Sequence, residues 1–207
     1  VKQKYKELLI MTTDIIQVKQ TKPVRYRRGD LARAYPELPD YLTLAEAHAI
    51  IDAATARPRD HILFNLLWHT GLRISEALSL TSDNIRDCDI RVKGKGGRVR
   101  VIPVKPQVIN ELLRYALDNR IAYGERFFNI TRSQAHRLLN KYADRAGINR
   151  KVHCHLFRHG FATNFLKQTG NIIYVQDLLG HRSIESTRIY VRAALPDVRE
   201  ALEKVEF

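Results

Sequence analysis

His155-Leu156-Phe157-Arg158-His159-Gly160-Phe161-Ala162-Thr163, then Leu178-Leu179-Gly180-His181, then Tyr190, is the run of residues on which the reading of this chain turns. Positions three apart on a helix share a face, so His155 and Arg158 can address one phosphate together. Phe157 and Phe161, four apart, anchor a neighbouring face in the core. His181 follows a glycine break, and Tyr190 comes nine residues later, near the end of a short helix. A third cluster lies upstream, at Thr70-Gly71-Leu72-Arg73-Ile74-Ser75-Glu76. Its glycine turn presents Arg73 near a helix start, where phosphates are favoured, and Glu76 can orient the guanidinium. Each cluster also has a plain structural explanation: an outward-facing polar surface, a surface ion pair, a packing tyrosine.

Around these clusters the hydrophobic spacing is mostly helical. Thr43 and Glu46 form a capping box before Ala47, Ile50, Ile51 and Ala54. An apolar helix is expected over 60–69, ended by Gly71, and a short one over 75–80. The period then changes to two. Ile90 and Val92 alternate with Arg91 and Lys93, and Val99 and Val101 alternate with Arg98 and Arg100, around Gly94-Lys95-Gly96-Gly97. This predicts a β-hairpin with one apolar and one cationic face. Helices return beyond it, one capped by Ser133 and ended by Gly147, others over 155–167, 172–179, 183–191 and 196–205. The expected fold is mainly α with a small antiparallel β-sheet.

Residues 1–40 differ from the rest. Lys2, Lys4, Lys6, Lys19, Lys22, Arg25, Arg27 and Arg28 precede a stretch punctuated by Pro36 and Pro39. A helix over 5–18 and a basic arm or linker that tracks a DNA backbone are expected there, with a solvated tail as the alternative. A compact domain is expected over 41–207.

Composition sets the partner class. The 207 residues carry 35 Lys and Arg against 22 Asp and Glu, a net charge of +13. A field of that sign attracts polyanions, and a phosphate backbone gains affinity by releasing counterions. Two cysteines make no disulfide framework, which fits a reducing, cytoplasmic setting. No apolar run approaches the ~20 residues of a membrane span. His153, Cys154, His155 and His159 invite a metal reading, but no acidic helper accompanies them. The glycines at 94, 96 and 97 complete neither a Rossmann nor a Walker pattern. Asp83, Asp87 and Asp89 read as solvated turn residues rather than a two-metal site.

Taken together, Thr-Gly-Leu-Arg-Ile-Ser-Glu (70–76), Gly-Lys-Gly (94–96), His-x-x-Arg-His (155–159), Leu-Gly-His (179–181) and Tyr190 resemble the tyrosine recombinase, or phage integrase, family. The resemblance spans about 42–192 and implies that family's catalytic fold. It implies that Arg73 and Arg158 clamp the scissile phosphate, with Glu76 in support, and that His181 adds a hydrogen bond. It implies that His155 assists proton transfer from the tyrosine and that Lys95 protonates the departing 5′-oxygen. Tyr190 would attack phosphorus to give a 3′-phosphotyrosyl link. The chemistry stands on its own terms. A tyrosine hydroxyl ionises near pH 10, so nearby cations and a histidine acceptor are needed to favour the phenolate.

Lys93 competes with Lys95 on the hairpin, and the Gly-Lys-Gly string favours Lys95. Tyr174 competes with Tyr190, but its apolar run points to core packing. Position 160 is Gly where the family often has Ser or Thr, and position 192 is Arg where a His often follows the tyrosine. Lys93, Arg98, Arg100, Arg132 and Lys141 are expected on the DNA backbone.

By resemblance the chain is a metal-free, cofactor-free site-specific recombinase of the nucleoid. It would be monomeric when free and a homo-tetramer on two double-stranded DNA sites. It would pass through a Holliday junction, with accessory DNA-bending proteins as further partners. Leu195, Val198, Leu202 and Val205 form an apolar stripe in 195–207, and residues 196–207 carry four acids and two bases. That segment is expected to dock on protein, a neighbouring protomer or its own domain. A type IB topoisomerase and a silent DNA-binding module are the alternatives. The six expected catalytic groups argue against silence. The short N-terminal part fits either a single-domain recombinase or a trimmed chain.

Overall fold

The computed structural model describes residues 40–94, 97–181 and 183–194. The basic arm, Lys95 and the docking segment 195–207 lie outside the described residues.

The first helix, α1 (Leu44–Ala53), starts at the expected capping box: the Thr43 hydroxyl accepts from the Glu46 amide, and the Glu46 carboxylate accepts from the Thr43 amide. Next, α2 (Pro58–Thr70) has Pro58 in its first turn, where the missing N–H removes no helical bond. Gly71 ends it at φ 61°, a left-handed conformation that favours glycine. The short α3 (Ile74–Leu78) follows.

The sheet has three antiparallel strands in the order β1 (Ile85–Arg86), β2 (Asp89–Lys93), β3 (Val99–Pro103). Its register corrects the expected faces of the hairpin. Ile90 pairs with Ile102 and Val92 with Arg100. Directly paired residues share a face, so Arg100 and Ile102 point inward beside Ile90 and Val92. Val99 and Val101 are the exposed residues of β3.

Helix α4 (Pro106–Asp118) follows β3. Its signals were Pro106 in the first turn and the buried set Val108, Ile109, Leu112 and Tyr115, which the sequence reading passed over. Helix α5 (Arg132–Arg145) is capped by Thr131, whose side chain accepts from the Gln134 amide, rather than by Ser133. The chain then runs through α6 (Cys154–Thr169), α7 (Ile172–Leu179) and α8 (Glu185–Ala194).

Helix α2 is the centre of the core. Leu63, Phe64, Leu66 and Leu67 have no exposure, and each fully buried side chain of this size contributes about 1.5–3 kcal/mol. Phe64 stacks on Phe157 of α6 at 5.8 Å, and Trp68 meets Phe157 edge-on. Tyr142 of α5 donates to buried Asp60 of α2 at 2.8 Å. A smaller cluster of Ala162, Leu166, Val175, Leu179 and Tyr190 joins α6, α7 and α8. Tyr174, expected in the core, is exposed instead, because Val175 and Leu179 supply the buried face of α7.

Gly160 has a packing reason. A Cβ there would lie 2.5 Å from the Leu42 carbonyl oxygen and 2.6 Å from Trp68 Cζ3. Helix propensity alone predicts that Gly160→Ser stabilises the protein. Overpacking against backbone and indole reverses that sign, and the expected loss is about 1–3 kcal/mol. Urea unfolding checks it; an unchanged or raised midpoint contradicts the packing reason.

Candidate active site

Arg73 caps α3 and its carboxylate partner is three residues along. The Arg73 amide donates to Glu76 Oε2 at 2.8 Å and its guanidinium to Oε1 at 3.0 Å. Arg100 reaches the same carboxylate from β3 with two bonds, at 3.0 and 2.9 Å, and its Nε donates to the Leu178 carbonyl at 3.0 Å. Arg100 was expected on the DNA backbone. The register turns it inward, and its guanidinium ties β3 to α3 and to the end of α7. Lys93, Arg98, Arg132 and Lys141 are exposed, as a backbone contact requires.

Burial opposes ionisation of Glu76, yet the hydrogen bonds from Arg100 and the Arg73 amide, with both charges, hold its pKa at about 2 against an ordinary 4.5. A carboxyl with a depressed folded pKa stabilises fully above its unfolded pKa and loses that contribution as pH falls. The window is therefore about pH 4.5 down to about 2, and the contribution is about 3 kcal/mol. Denaturant unfolding across that range is expected to lose this slope in Glu76→Gln. A slope unchanged by the substitution contradicts the carboxylate's role.

Arg158 is 1% exposed. It donates to the Gly71 carbonyl at 2.8 Å and the Leu179 carbonyl at 2.7 Å, and a third contact meets His181 Nε2 at 3.2 Å. No carboxylate touches it among the described residues. Burial, then the charge of Arg73, lowers its pKa to about 10, so it remains a cation at neutral pH. Its direct partners are carbonyls and an imidazole. Among the described residues, the one carboxylate whose charge reaches it, Glu76, is already bonded by Arg73 and Arg100, so this buried guanidinium is short of negative charge.

His181 follows the α7 end at Gly180. Since Arg158 can only donate, His181 Nε2 accepts, and the ring proton on Nδ1 goes to the Thr187 hydroxyl at 2.9 Å. Burial, then Arg158 and Arg73, lowers the His181 pKa to about 4. His155 is exposed and its pKa is also lowered, by partial burial, then Arg158. Arg73, Arg100 and His181 line a cleft of about 510 Å³ that reaches Gly94 and Arg98 at the hairpin turn.

Tyr190 lies in the small α6–α7–α8 cluster, 1% exposed. Its hydroxyl is 2.9 Å from Nδ1 of His159, and its ring stacks near His181 at 6.4 Å. Burial raises its pKa, while Arg158 and Arg73 pull the other way. His159 was missed as a site residue. Its signal was its place beside Arg158 and four residues beyond His155, which read as a possible metal pair. Among the described residues no three His, Cys, Asp or Glu side chains are placed to hold a metal. His155, expected to assist the tyrosine, stands one turn back, edge-on to His159 at 4.5 Å. Thus Arg73, Arg158, His155, His181 and Tyr190 converge, while Lys95 is outside the described residues.

The order and geometry of these groups agree with a match of residues 40–195 to the phage integrase family model. The chain belongs to the phage integrase family. Among phage integrase relatives, it is 35% identical over 182 residues to tyrosine recombinase XerD of Corynebacterium glutamicum, covering 79% of this chain and 60% of that protein. It is 34% identical over 179 residues to tyrosine recombinase XerA of Thermococcus onnurineus, covering 81% of this chain and 63% of the relative. The matched part thus spans about 60% of these curated relatives. The fold is similar to the crystal structure of XerA recombinase, with a TM-score of 0.69 and 27% identity over 84% of this chain and 68% of the other. It is also similar to XerH bound to palindromic difH substrate in a post-cleavage complex (TM-score 0.70, 25% identity, 81% and 54%). The catalytic domain of bacteriophage HP1 integrase gives a TM-score of 0.65 at 25% identity, covering 81% of this chain and 95% of that one. No helix among the described residues is long and apolar enough to cross a membrane.

Proposed function

We propose that this chain is the catalytic part of a site-specific recombinase that cuts and rejoins duplex DNA through a 3′-phosphotyrosyl intermediate. The observation that carries the reading is Arg158: a buried cation with no carboxylate hydrogen-bonded to it among the described residues, beside Arg73 and within the field of the Tyr190 hydroxyl. A scissile phosphate supplies the missing anion. Arg73 and Arg158 hold its non-bridging oxygens, and their planar donor forks stay charged throughout. The arriving anion offsets the Arg158 and Arg73 charges that, after burial, hold the His181 pKa down, so that Nε2 takes up a proton and donates it in a hydrogen bond to the same phosphoryl group. His155, exposed next to Arg158, serves the phosphate and the proton balance of the site. Lys95 protonates the departing 5′-oxygen. Fixed cations offset the charge that builds on phosphorus oxygens in the transition state.

The covalent link conserves the energy of the broken phosphodiester, so rejoining draws on no nucleotide. Two arginines and a lysine supply the charge that a metal supplies elsewhere. The likeness to XerH bound to its palindromic difH substrate supports DNA as the substrate. Exposed Lys93, Arg98, Arg132 and Lys141 are backbone contacts in this reading. By family the working assembly is a tetramer on two sites that passes through a Holliday junction. The segment 195–207 docks between protomers, the basic arm before residue 41 tracks the duplex, and accessory DNA-bending proteins complete the complex.

The test is covalent capture. A pool of nicked duplexes, randomised in sequence, is incubated with the protein in EDTA, and protein–DNA adducts are recovered under denaturing conditions and sequenced. Adducts sharing a sequence are expected from the wild-type chain. No adduct from any duplex, or adducts only when metal is restored, contradicts the reading.

A further inference from the structure

We infer that His159 is a catalytic residue of this site, accepting the hydroxyl hydrogen bond of Tyr190 through Nδ1 and taking up its proton as the tyrosine attacks. The inference rests on the reading above and assigns to a further residue the one role the attacking oxygen requires.

Geometry carries it. The Tyr190 oxygen lies 2.9 Å from His159 Nδ1, within the range for direct proton transfer. No other hydrogen-bond partner of that oxygen occurs among the described residues. The hydroxyl is otherwise enclosed, since Tyr190 is 1% exposed in the α6–α7–α8 cluster. His159 is on α6 directly after Arg158, so the backbone that places the phosphate-binding cation also places the acceptor. With the ring proton on Nε2, Nδ1 is free to accept. His155 does not compete for this oxygen. It is exposed, and its ring meets the edge or face of His159 at 4.5 Å, where it is placed to influence His159 rather than the tyrosine.

The proton balance closes. The phenolic oxygen forms its bond to phosphorus, its proton passes to His159 Nδ1, and the P–O5′ bond breaks as the 5′-oxygen takes a proton from the general acid. Rejoining runs the same transfers backward.

In the DNA-free chain His159 is a weak base. Burial, then His155, His153, Arg158 and His181, lowers its pKa to about 4. That weakness has a use: the resting tyrosine keeps its proton. A phosphate anion bound at Arg158 and Arg73 removes part of the positive field, which strengthens His159 as an acceptor where the substrate is in place.

Single-turnover cleavage of a duplex recovered by the capture experiment tests this, with DNA affinity measured in parallel. His159→Phe is expected to cleave about 10²-fold or more slowly at unchanged affinity. His159→Asn, whose side-chain oxygen can stand near the Nδ1 position, is expected to fall between. Placing an ortho-fluorinated tyrosine at 190, whose hydroxyl ionises more readily, is expected to narrow the gap between His159→Phe and the wild-type histidine. A merely structural histidine would not respond that way. Cleavage by His159→Phe within about threefold of wild type overturns the inference and leaves the recombinase reading intact. A slow variant whose gap ignores the fluorotyrosine overturns it too. If phenylalanine at 159 prevents folding, His159→Asn with the two tyrosines gives the same comparison. Failure of wild type to form any adduct is the separate result that removes the underlying reading.

Discussion

Tyr190→Phe is expected to lower covalent capture of nicked DNA by at least about 10⁴-fold, because removing a nucleophile removes the step it performs. The folded domain should survive. The phenyl ring keeps its place among Ala162, Leu166, Val175 and Leu179, and only the hydroxyl bond to His159 is lost. A buried hydrogen bond of that kind contributes about 1–2 kcal/mol, including the unsatisfied acceptor left behind. Circular dichroism and denaturant unfolding check the fold; denaturing gels check the adduct. Adduct formation at an undiminished rate means another residue attacks.

The second large effect is expected at Arg158, with the opposite relation to stability. Arg158→Met keeps much of the volume and removes the charge. The folded protein gains because a cation with its pKa lowered to about 10 from 12.5 no longer has to be buried, a term of about 3 kcal/mol. It loses because the Gly71 and Leu179 carbonyls give up their donor, at about 1–2 kcal/mol each. These nearly offset, so the midpoint of unfolding is expected to move by less than about 1–2 kcal/mol. Cleavage is expected to fall by about 10³-fold or more, the range for losing a cation on a phosphoryl transition state. A methionine variant that unfolds and one that cleaves normally each contradict the view of Arg158 as a cation held in readiness for phosphate.

Local signals carried much of the fold into view from the sequence. The Thr43–Glu46 box, the Gly71 stop and the Ile172–Leu179 helix all depend on neighbours within a turn or so. The hairpin faces did not read correctly, because Val-Arg-Val-Ile offers two alternations and only pairing with β2 selects one. The residue turned inward, Arg100, is tolerated there because Glu76 comes from a distant element to meet it. Such a pairing is tertiary and leaves no trace in the local period.

The site divides the same way. Arg73 with Glu76, and Arg158 with His155, are local patterns and were legible. The contact of His159 with Tyr190 spans 31 positions, and nothing near either residue announces it. Tyr190 itself needed no choice between a packing and a reactive role: its ring belongs to a core cluster and its oxygen meets the histidine.

The most direct measurement is the mass of the captured peptide. Nuclease and trypsin treatment of the adduct should leave the peptide 189–192 carrying a nucleotide joined to Tyr190 through its 3′-phosphate. A nucleotide on any other side chain, or one joined through a 5′-phosphate, contradicts the mechanism.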